Sequence, residues 1–578
     1  MRNPLPLALT LVFALVGCSG ETASPVKAPA QNTEFAAFVD EYFDFSFESS
    51  PTWATYVGIH DFDDRLDDFS RAAIESRITT LETFLERLMA FDESALSFDE
   101  QIDARALESK MRGSLLDMKT VRVWETNPML YVWIPGGAID GIIKRDFAPA
   151  NERLRLVTAR LEQVPGVFEA GKANVQNPPK EFTDLAIRMA GGSVWYLDNT
   201  LASWASEAAG DDAVLLEEFE SAKTDAVAAA KDFAAWLEED LLPRSNGSFA
   251  IGAEDFSKKL LYDEMVDMPL AEVLAIGEAQ LEKDHEAFIE TAKLIDPDKT
   301  AAEVMKSLSD EHPPPEDLIP SVARTVEEAR QFLIDHDIVT IPSEVRPAIE
   351  ETPPYARAGS FASMDTPGPY ETQATEAFYY VTPVEDEWDD ARKEEHLRLY
   401  NPYVVAMINV HEAYPGHYLQ FLYAPQFPTK TRKLVESGTN SEGWAHYTEQ
   451  MMVDEGFGGG DPRYRLAQLQ EALLRDCRYV AGIKLHTEGW TVEQAATELF
   501  EKKGFQEPAN AFEEARRGAY NPTYLYYTLG KIEVQKLRDE YMEKYDAPLK
   551  QFHDAFVAAG ALPIPLVRKA LFAEGMED

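Results

Sequence analysis

The sequence predicts a mainly α-helical protein with one small β-sheet. Apolar residues recur at intervals of three and four through most of its 578 residues, which is the spacing of helices with one buried face. The central region is dense in Ala, Leu and Glu, which favour helix. The β-branched and aromatic segments that indicate strands are short, at 338–342 and 377–383.

The predicted helices are bounded by capping residues and prolines. In 71–91, for example, Ile74, Ile78 and Leu81 lie on one face. The segments predicted to be helical are 33–47, 71–91, 98–117, 151–164, 180–207, 215–242, 271–295, 321–336, 386–399, a helix from 403, 439–453, 463–484, 491–502, 510–517, 522–545 and 550–557. The segments predicted to lack helix are 52–64, 127–135, 296–316 and 350–369.

The predicted strand at 377–383 comes shortly before the segment that carries most of the chemistry. A strand in this position can pair with an extended peptide by edge addition. Tyr380 within it is therefore a candidate substrate-binding residue. The alternative is an ordinary sheet edge.

The charge limits the classes of partner. Lys and Arg total 54 and Asp and Glu total 101, which gives a net charge of −47. Nucleic-acid binding needs a basic surface, so we expect no nucleic-acid partner. The acidic surface favours solubility.

The N-terminus carries a lipoprotein signal. Arg2 precedes an apolar run, Leu5 to Val16, which has signal-peptide length and is too short to span a bilayer. The run ends in Leu15-Val-Gly-Cys18, which resembles a bacterial lipoprotein cleavage box whose cysteine is lipidated. Ser19 favours the outer membrane over the inner, and the alternative is secretion with cleavage near Gly20. We expect the protein to face the periplasm and to contact the membrane through this lipid alone.

These features divide the chain into a signal peptide at 1–17, a tether at 18–33 and a catalytic unit at 34–578. The tether is rich in Ser, Ala, Pro and Gln. Within the catalytic unit, 34–310 is a helical N-terminal part and 311–578 carries the candidate site.

The cysteines restrict the kind of metal site. The chain has two, Cys18 and Cys477, and lipidation of Cys18 would leave Cys477 without an intramolecular partner. A disulfide framework and a cysteine-rich metal site are therefore excluded. Any metal must be bound by histidines and carboxylates.

Two segments carry such residues. His411-Glu-Ala-Tyr-Pro-Gly-His417 supplies two imidazoles, and Glu442 lies on a later predicted helix. Two His and one Glu bind zinc and leave one coordination position for water. Glu412, beside the first His, is the candidate general base.

The two histidines are six positions apart, not four as in the H-E-x-x-H motif. On a regular helix this spacing puts them about 120° apart, so they could not share a metal ion. Pro415 removes a helical hydrogen bond and Gly416 relaxes the backbone, so we predict a last turn opened by two extra residues. The alternative is a helix ending at Tyr414, with His417 a capping or core residue.

Further candidates lie downstream. His446 is one turn beyond Glu442 and is either an alternative ligand or, as we favour, a partner of the ligands. Oxyanion donors are expected in catalysis, and Tyr527 is the best candidate, with His486 as a second catalytic residue. The candidate substrate-binding residues are Arg478, for a carboxylate, and Tyr524.

Several motifs together resemble a known bacterial family. They are His411-Glu-Ala-Tyr-Pro-Gly-His417, Ser441-Glu-Gly-Trp-Ala445, Arg478 with His486-x-x-Gly-Trp490, Pro522 to Gly530, Gly58 to Arg65, Tyr379 to Val381 and Gly560 to Val567. The family is domain of unknown function 885, which is grouped with the zincin-like metallopeptidases. The resemblance covers nearly all of the mature chain.

The resemblance implies a mostly helical zincin-like metallopeptidase with a deep cleft, similar to helical oligopeptidases and dipeptidyl carboxypeptidases. It implies His411, His417 and Glu442 as zinc ligands, in the manner of gluzincins, and Glu412 as base. One departure is Gly482, where the family often has Asp, and this weakens any role assigned to its neighbours.

The leading interpretation is a zinc peptidase that hydrolyses short peptides. One alternative is a metal-dependent hydrolase of other amides or esters, such as cell-wall fragments. Another is a peptide-binding lipoprotein without catalysis, but a binding protein needs no general base and Glu412 is intact. No feature of the sequence indicates the oligomeric state or a choice between exo- and endopeptidase.

Overall fold

A computed structural model describes residues 32–353, 357 and 360–573. The predicted signal peptide, Cys18 and most of the tether lie outside these residues. The described chain is mainly helical with a three-stranded sheet, as the sequence predicts. None of the helices in the described ranges is both long and apolar enough to cross a membrane.

The N-terminal part is built from helices. They are α1 (Thr33–Ser49), α2 (Pro51–Tyr56), α3 (Arg71–Met89), α4 (Phe98–Leu116), α5 (Val123–Thr126), α6 (Met129–Ile143), α7 (Ala150–Asn174), α8 (Lys180–Trp195), α9 (Leu201–Ala209), α10 (Ala213–Trp236), α11 (Ala253–Glu264), α12 (Leu270–Ile295) and α13 (Ala301–Ser309).

The second part contains the sheet and the remaining helices. These elements are α14 (Leu318–Asp335), β1 (Ala348–Glu351), β2 (Ala362–Asp365), β3 (Phe378–Val381), α15 (Asp390–Arg398), α16 (Pro402–Glu412), α17 (His417–Tyr423), α18 (Lys430–Leu434), α19 (Gly438–Asp454), α20 (Pro462–Thr487), α21 (Val492–Ala495), α22 (Pro508–Tyr520), α23 (Tyr526–Tyr545), α24 (Leu549–Ala558) and α25 (Ile564–Phe572).

The strand order is β1-β3-β2, so β3 is the central strand. It pairs in parallel with β1 and antiparallel with β2, and Tyr380 lies opposite Glu350 and Ser363. The predicted strand at 377–383 is therefore confirmed. The prediction that it offers an edge to a peptide is wrong, because both of its edges are paired.

The prediction of a strand at 338–342 is wrong, because the structure has no strand in this segment. Ile338 and Val339 are buried, but side chains bind the backbone here instead of a neighbouring strand. Asp554 accepts the Thr340 N–H at 2.7 Å, and His553 Nδ1 lies 2.9 Å from the Ile338 carbonyl oxygen. The β-branched residues at this position therefore indicate a buried segment and not a paired strand.

Three segments predicted to lack helix contain one. α6 continues through Pro135 because its apolar residues, including Tyr131 and Ile139, are buried in the core. α13 lies within 296–316 and begins with a capping box between Thr300 and Glu303. α2 extends into the segment predicted as a loop at 52–64 and covers its first five residues, 52–56.

The main hydrophobic core contains buried residues from both parts of the chain, from Phe35 in α1 to Phe572 in α25. It includes Met407 and Val410 of α16, and Trp444 and Tyr447 of α19. The helices that carry His411 and Glu442 are therefore anchored by their buried faces.

Candidate metal centre

α16 places His411 at the end of a well-anchored helix. Its N-terminus is capped by Asn401, whose Oδ1 accepts the Val404 N–H at 3.1 Å. One turn before its C-terminus, Asn409 Oδ1 accepts a hydrogen bond from the Tyr379 hydroxyl at 2.7 Å. The helix is thus tied to β3 close to the site.

The chain leaves α16 through a widened turn. The Gly416 N–H donates to the Val410 carbonyl oxygen at 2.9 Å, a hydrogen bond that spans six residues instead of four. α17 begins at His417, and the ring centroids of His417 and His411 lie 4.8 Å apart. The predicted opening of the turn by two residues is confirmed.

The space around position 416 is too small for a side chain. A Cβ at this position would lie 1.7 Å from the His411 carbonyl oxygen and 2.5 Å from that of Val410. Its φ of −71° is one that any residue adopts. The steric requirement for glycine here comes from the close approach of two backbone segments.

α19 carries Glu442 to the site by packing closely on α23. A Cβ on Gly443 would lie 2.5 Å from the Gly530 Cα, so glycine at 443 permits the contact, as predicted. Trp444 donates from Nε1 to the Pro415 carbonyl oxygen at 2.8 Å. The second helix therefore also holds the widened turn in place.

These elements bring His411, His417 and Glu442 together. Nε2 of each histidine lies 3.3 Å from Glu442 Oε2, and the potential ligand atoms all lie within 4.8 Å of one another. Two ligands of a tetrahedral zinc ion, each about 2.1 Å from the metal, are about 3.4 Å apart. The Glu442 Oε2 atom is buried and accepts no hydrogen bond from the described residues, so the set fits a divalent cation.

The charge of Glu442 suits a ligand. Burial alone would raise its pKa, but the imidazoles of His417 and His411 hold the pKa well below its usual range. The carboxylate is therefore ionised at neutral pH, which is the form that binds a metal.

Glu449 orients the first histidine. Its Oε1 lies 2.7 Å from His411 Nδ1 and 3.2 Å from Arg475 Nη2. A carboxylate on Nδ1 directs Nε2 of the imidazole toward a metal. Glu449 and Arg475 were missed as site residues, although Glu449 lies seven residues after Glu442, on the same face of α19.

His446 takes part through the same carboxylate. Its Nδ1 lies 3.3 Å from Glu449 Oε2, and it is not among the three residues whose ligand atoms converge. Burial lowers its pKa to about 3, so the ring is neutral. This placement fits the favoured prediction of a partner to the ligands.

Glu412 and Tyr527 lie next to the three converging residues. Burial raises the pKa of Glu412, and the nearby His417 and His411 oppose this shift. The Tyr527 ring is partly buried and its centroid lies 6.3 Å from that of His411. Both residues thus lie near the candidate metal ligands, and their catalytic roles stay predictions.

Arg478 and Tyr524 are held by a carboxylate of the protein. Arg478 donates from Nε and Nη2 to Glu514 at 2.7 and 3.0 Å, and the Tyr524 hydroxyl donates to the same carboxylate at 2.8 Å. Arg478 was predicted to bind a substrate carboxylate through two nitrogens, but its Nε and Nη2 are bound to Glu514 instead. Glu514 was missed because it lies on another helix, 36 residues away.

His486 is not brought to the site. It lies eleven residues beyond Arg475 on α20, which is about 16 Å along the helix. Its Nε2 lies 2.8 Å from the Gly518 carbonyl oxygen, and Phe249 and Phe256 flank the ring. Burial lowers its pKa to about 4. The placement contradicts a catalytic role and indicates a structural one.

Tyr380 lines a separate cavity of about 440 Å³. Trp133, His60 and Asp365 also line this cavity, and none of the three converging metal-site residues does. The prediction for Tyr380 therefore holds only if this cavity receives part of a substrate.

A comparison with protein families matches residues 51–571 to a family described as bacterial protein of unknown function (DUF885). The chain belongs to this family. No curated protein matches the chain. The resemblance found in the motifs is confirmed at the level of the family.

Two solved structures share the fold of this DUF885 member. A candidate lipoprotein of unknown function from Shewanella oneidensis is 27% identical, with a TM-score of 0.77, covering 93% of this chain and 100% of that one. A candidate lipoprotein from Colwellia psychrerythraea is 17% identical, with a TM-score of 0.78 and coverages of 93% and 98%. The description of the Shewanella oneidensis protein as a lipoprotein is consistent with the predicted location in the cell envelope.

Proposed function

We propose that this protein is a zinc-dependent, zincin-like peptidase that hydrolyses short peptides. The observation that carries the proposal is the pair of 3.3 Å separations between Glu442 Oε2 and the Nε2 atoms of His411 and His417. These residues would hold the ion. A bound zinc ion polarises a carbonyl and lowers the pKa of water to about 7.

The residues around the ligands supply the proton transfers. Glu412 adjoins His411 and accepts the proton of the attacking water, then delivers it to the leaving amine. The raised pKa of Glu412, caused by burial, suits a group that must hold this proton. Tyr527, beside His411, donates a hydrogen bond to the oxygen that gains charge.

The cavities support a short substrate. The 440 Å³ cavity and a second one of about 80 Å³ share Tyr56 and Trp53, and Phe421 lines the second. The Phe421 ring stacks on His417 with centroids 6.1 Å apart. We infer a deep cleft that ends at the metal and excludes folded proteins.

We place the enzyme in the cell envelope. The cleavage box at Cys18 and the two lipoprotein neighbours support a lipid anchor with the catalytic unit in the periplasm. Ser19 favours the outer membrane.

The test combines metal analysis with cleavage of a short-peptide library, with muropeptides and esters in the same panel. The purified protein should hold one zinc ion, and Glu442→Ala should lose it. Glu412→Gln should keep zinc and lose turnover, while Glu543→Gln, an exposed substitution on α23, should change neither. Absence of zinc, or cleavage of muropeptides or esters but of no simple peptide, would overturn the proposal.

A further inference from the structure

Two arginines near the candidate metal centre share one carboxylate. Glu514 accepts two hydrogen bonds from Arg478, at 2.7 and 3.0 Å, and lies 3.4 Å from Arg517 Nη1. Among the described residues it is the only acidic partner within 4 Å of either guanidinium. The group therefore carries one uncompensated positive charge.

The unneutralised charge lies on Arg517. The Arg478 and Glu514 side chains are each 9% accessible, whereas that of Arg517 is 38% accessible. Arg517 contacts Glu514 through one nitrogen at 3.4 Å and shares a side-chain hydrogen bond with Tyr520, so other N–H donors of its five are left for a ligand. Nη1 of Arg478 also makes no hydrogen bond to the described residues, since its pair with Glu514 uses Nε and Nη2.

A chain of ring contacts links this charge to the metal centre. The Arg517 guanidinium lies 5.7 Å from the Tyr524 ring, and the Tyr524 and Tyr527 rings are 6.4 Å apart. Arg478 lies 5.4 Å from the Tyr527 ring, which is 6.3 Å from that of His411. The guanidinium group of Arg478 therefore lies within about 12 Å of the His411 ring, and that of Arg517 within about 18 Å. An extended peptide of about three to five residues covers these distances.

We propose that Arg517, assisted by Nη1 of Arg478, binds the free C-terminal carboxylate of the peptide substrate. This inference rests on the proposed function and specifies its substrate class: short peptides cleaved a few residues before a free carboxyl end. Planar guanidinium groups bind carboxylates with charge-assisted hydrogen bonds, and the partly enclosed position strengthens them. Glu514 holds Arg478 in place and leaves Arg517 to the ligand.

Arg516 provides a matched control. It neighbours Arg517 on α22, but it pairs with Glu513, 3.5 Å away, and stacks over Phe512. Arg516→Gln therefore removes the same charge from the same helix without touching the shared carboxylate. Arg517→Lys keeps the charge and removes the planar donors.

The experiment uses two pooled libraries of tri- to pentapeptides that are identical except for a free acid or an amide at the C-terminus. Binding is measured by calorimetry in a Glu412→Gln background, and hydrolysis is measured in proteins with Glu412 intact. We expect the wild-type site to favour the acid library on the order of 10- to 100-fold in both measurements. Arg517→Gln should abolish this preference by weakening binding and hydrolysis of the acid library, with no change for the amide library. Arg517→Lys should keep part of the preference, and Arg516→Gln should keep all of it.

The outcomes separate this inference from the proposed function. Equal hydrolysis of acid and amide libraries overturns the role of Arg517 and leaves the peptidase intact. Binding that favours the acid library, without hydrolysis of either, supports the role of Arg517 and overturns the peptidase. Loss of the preference in Arg516→Gln as well would show a general charge effect and overturn the assignment to Arg517.

Discussion

Glu449 Oε1 lies 2.7 Å from His411 Nδ1, and this hydrogen bond points the opposite nitrogen of the ring at Glu442. Burial alone would lower the pKa of His411, but Glu442 and Glu449 raise it to about 9. In the metal-free protein the imidazole is therefore protonated at neutral pH, and a metal ion must displace that proton.

Glu449→Gln should weaken zinc binding about 10- to 100-fold, because the amide loses the charge that makes the imidazole a strong ligand. Competition with a chromogenic chelator measures the affinity. Glu455→Gln, an exposed change just beyond α19, should leave the affinity unchanged. An unaltered affinity in Glu449→Gln would contradict this role.

Gly416→Ala should disrupt the metal centre, because the added carbon would lie 1.7 Å from the His411 carbonyl oxygen. We expect a loss of stability of about 3 kcal/mol or more, together with loss of bound zinc. The matched control is Gly191→Ala, an exposed helical position with no atom within 4 Å of the added carbon, which should stabilise by about 0.5–1 kcal/mol. Thermal unfolding and zinc content test both, and retention of zinc by Gly416→Ala would refute the steric requirement.

Tyr527→Phe should retain zinc and lower kcat about 10- to 100-fold with little change in KM, because its hydroxyl acts when charge develops on the substrate oxygen. Steady-state kinetics on one cleaved peptide give both constants. Tyr545→Phe removes an exposed hydroxyl farther along α23 and serves as the control. A change confined to KM would indicate substrate binding instead.

His553 should make stability fall in acid. Burial lowers its pKa to about 4, and its Nε2 lies 2.8 Å from the Tyr447 hydroxyl. A basic group with a lowered folded-state pKa binds its proton more tightly when unfolded, so its contribution is complete above about pH 6.5 and is lost toward pH 4. Between pH 7.5 and 5 this one residue should cost on the order of 2 kcal/mol.

Urea unfolding of the wild type and His553→Gln at both pH values measures this contribution. The wild type should lose more free energy of unfolding than the variant on acidification, by the amount given above. An equal loss in the two proteins would show that His553 does not titrate as its burial predicts.

The sequence predicts the fold class well because most helices contribute a regular apolar face. It fails where burial and local pattern disagree. Apolar burial carries α6 through Pro135, and side chains of another segment satisfy the backbone at Thr340. Those partners come from distant parts of the chain, so no local pattern reports them.

The residues of the candidate site also fall into those that the sequence identifies and those that it does not. His411, His417 and Glu442 belong to short motifs with chemically distinctive spacing, so they can be found in the sequence. Arg478 was predicted to bind substrate because Glu514, on α22, could not be paired with it beforehand. Residue type suggests a role, but the neighbouring helices decide whether the group is free to perform it.

The six-residue hydrogen bond at Gly416 has a consequence for protein engineering. Removing Pro415 and Gly416 would leave the sequence His-Glu-Ala-Tyr-His, in which the two histidines stand four positions apart on a continuous helix. The two residues thus act as a removable spacer between two geometries of the same ligand set. A shortened chain that still bound zinc would have exchanged one mode of ligand presentation for the other within a single helix.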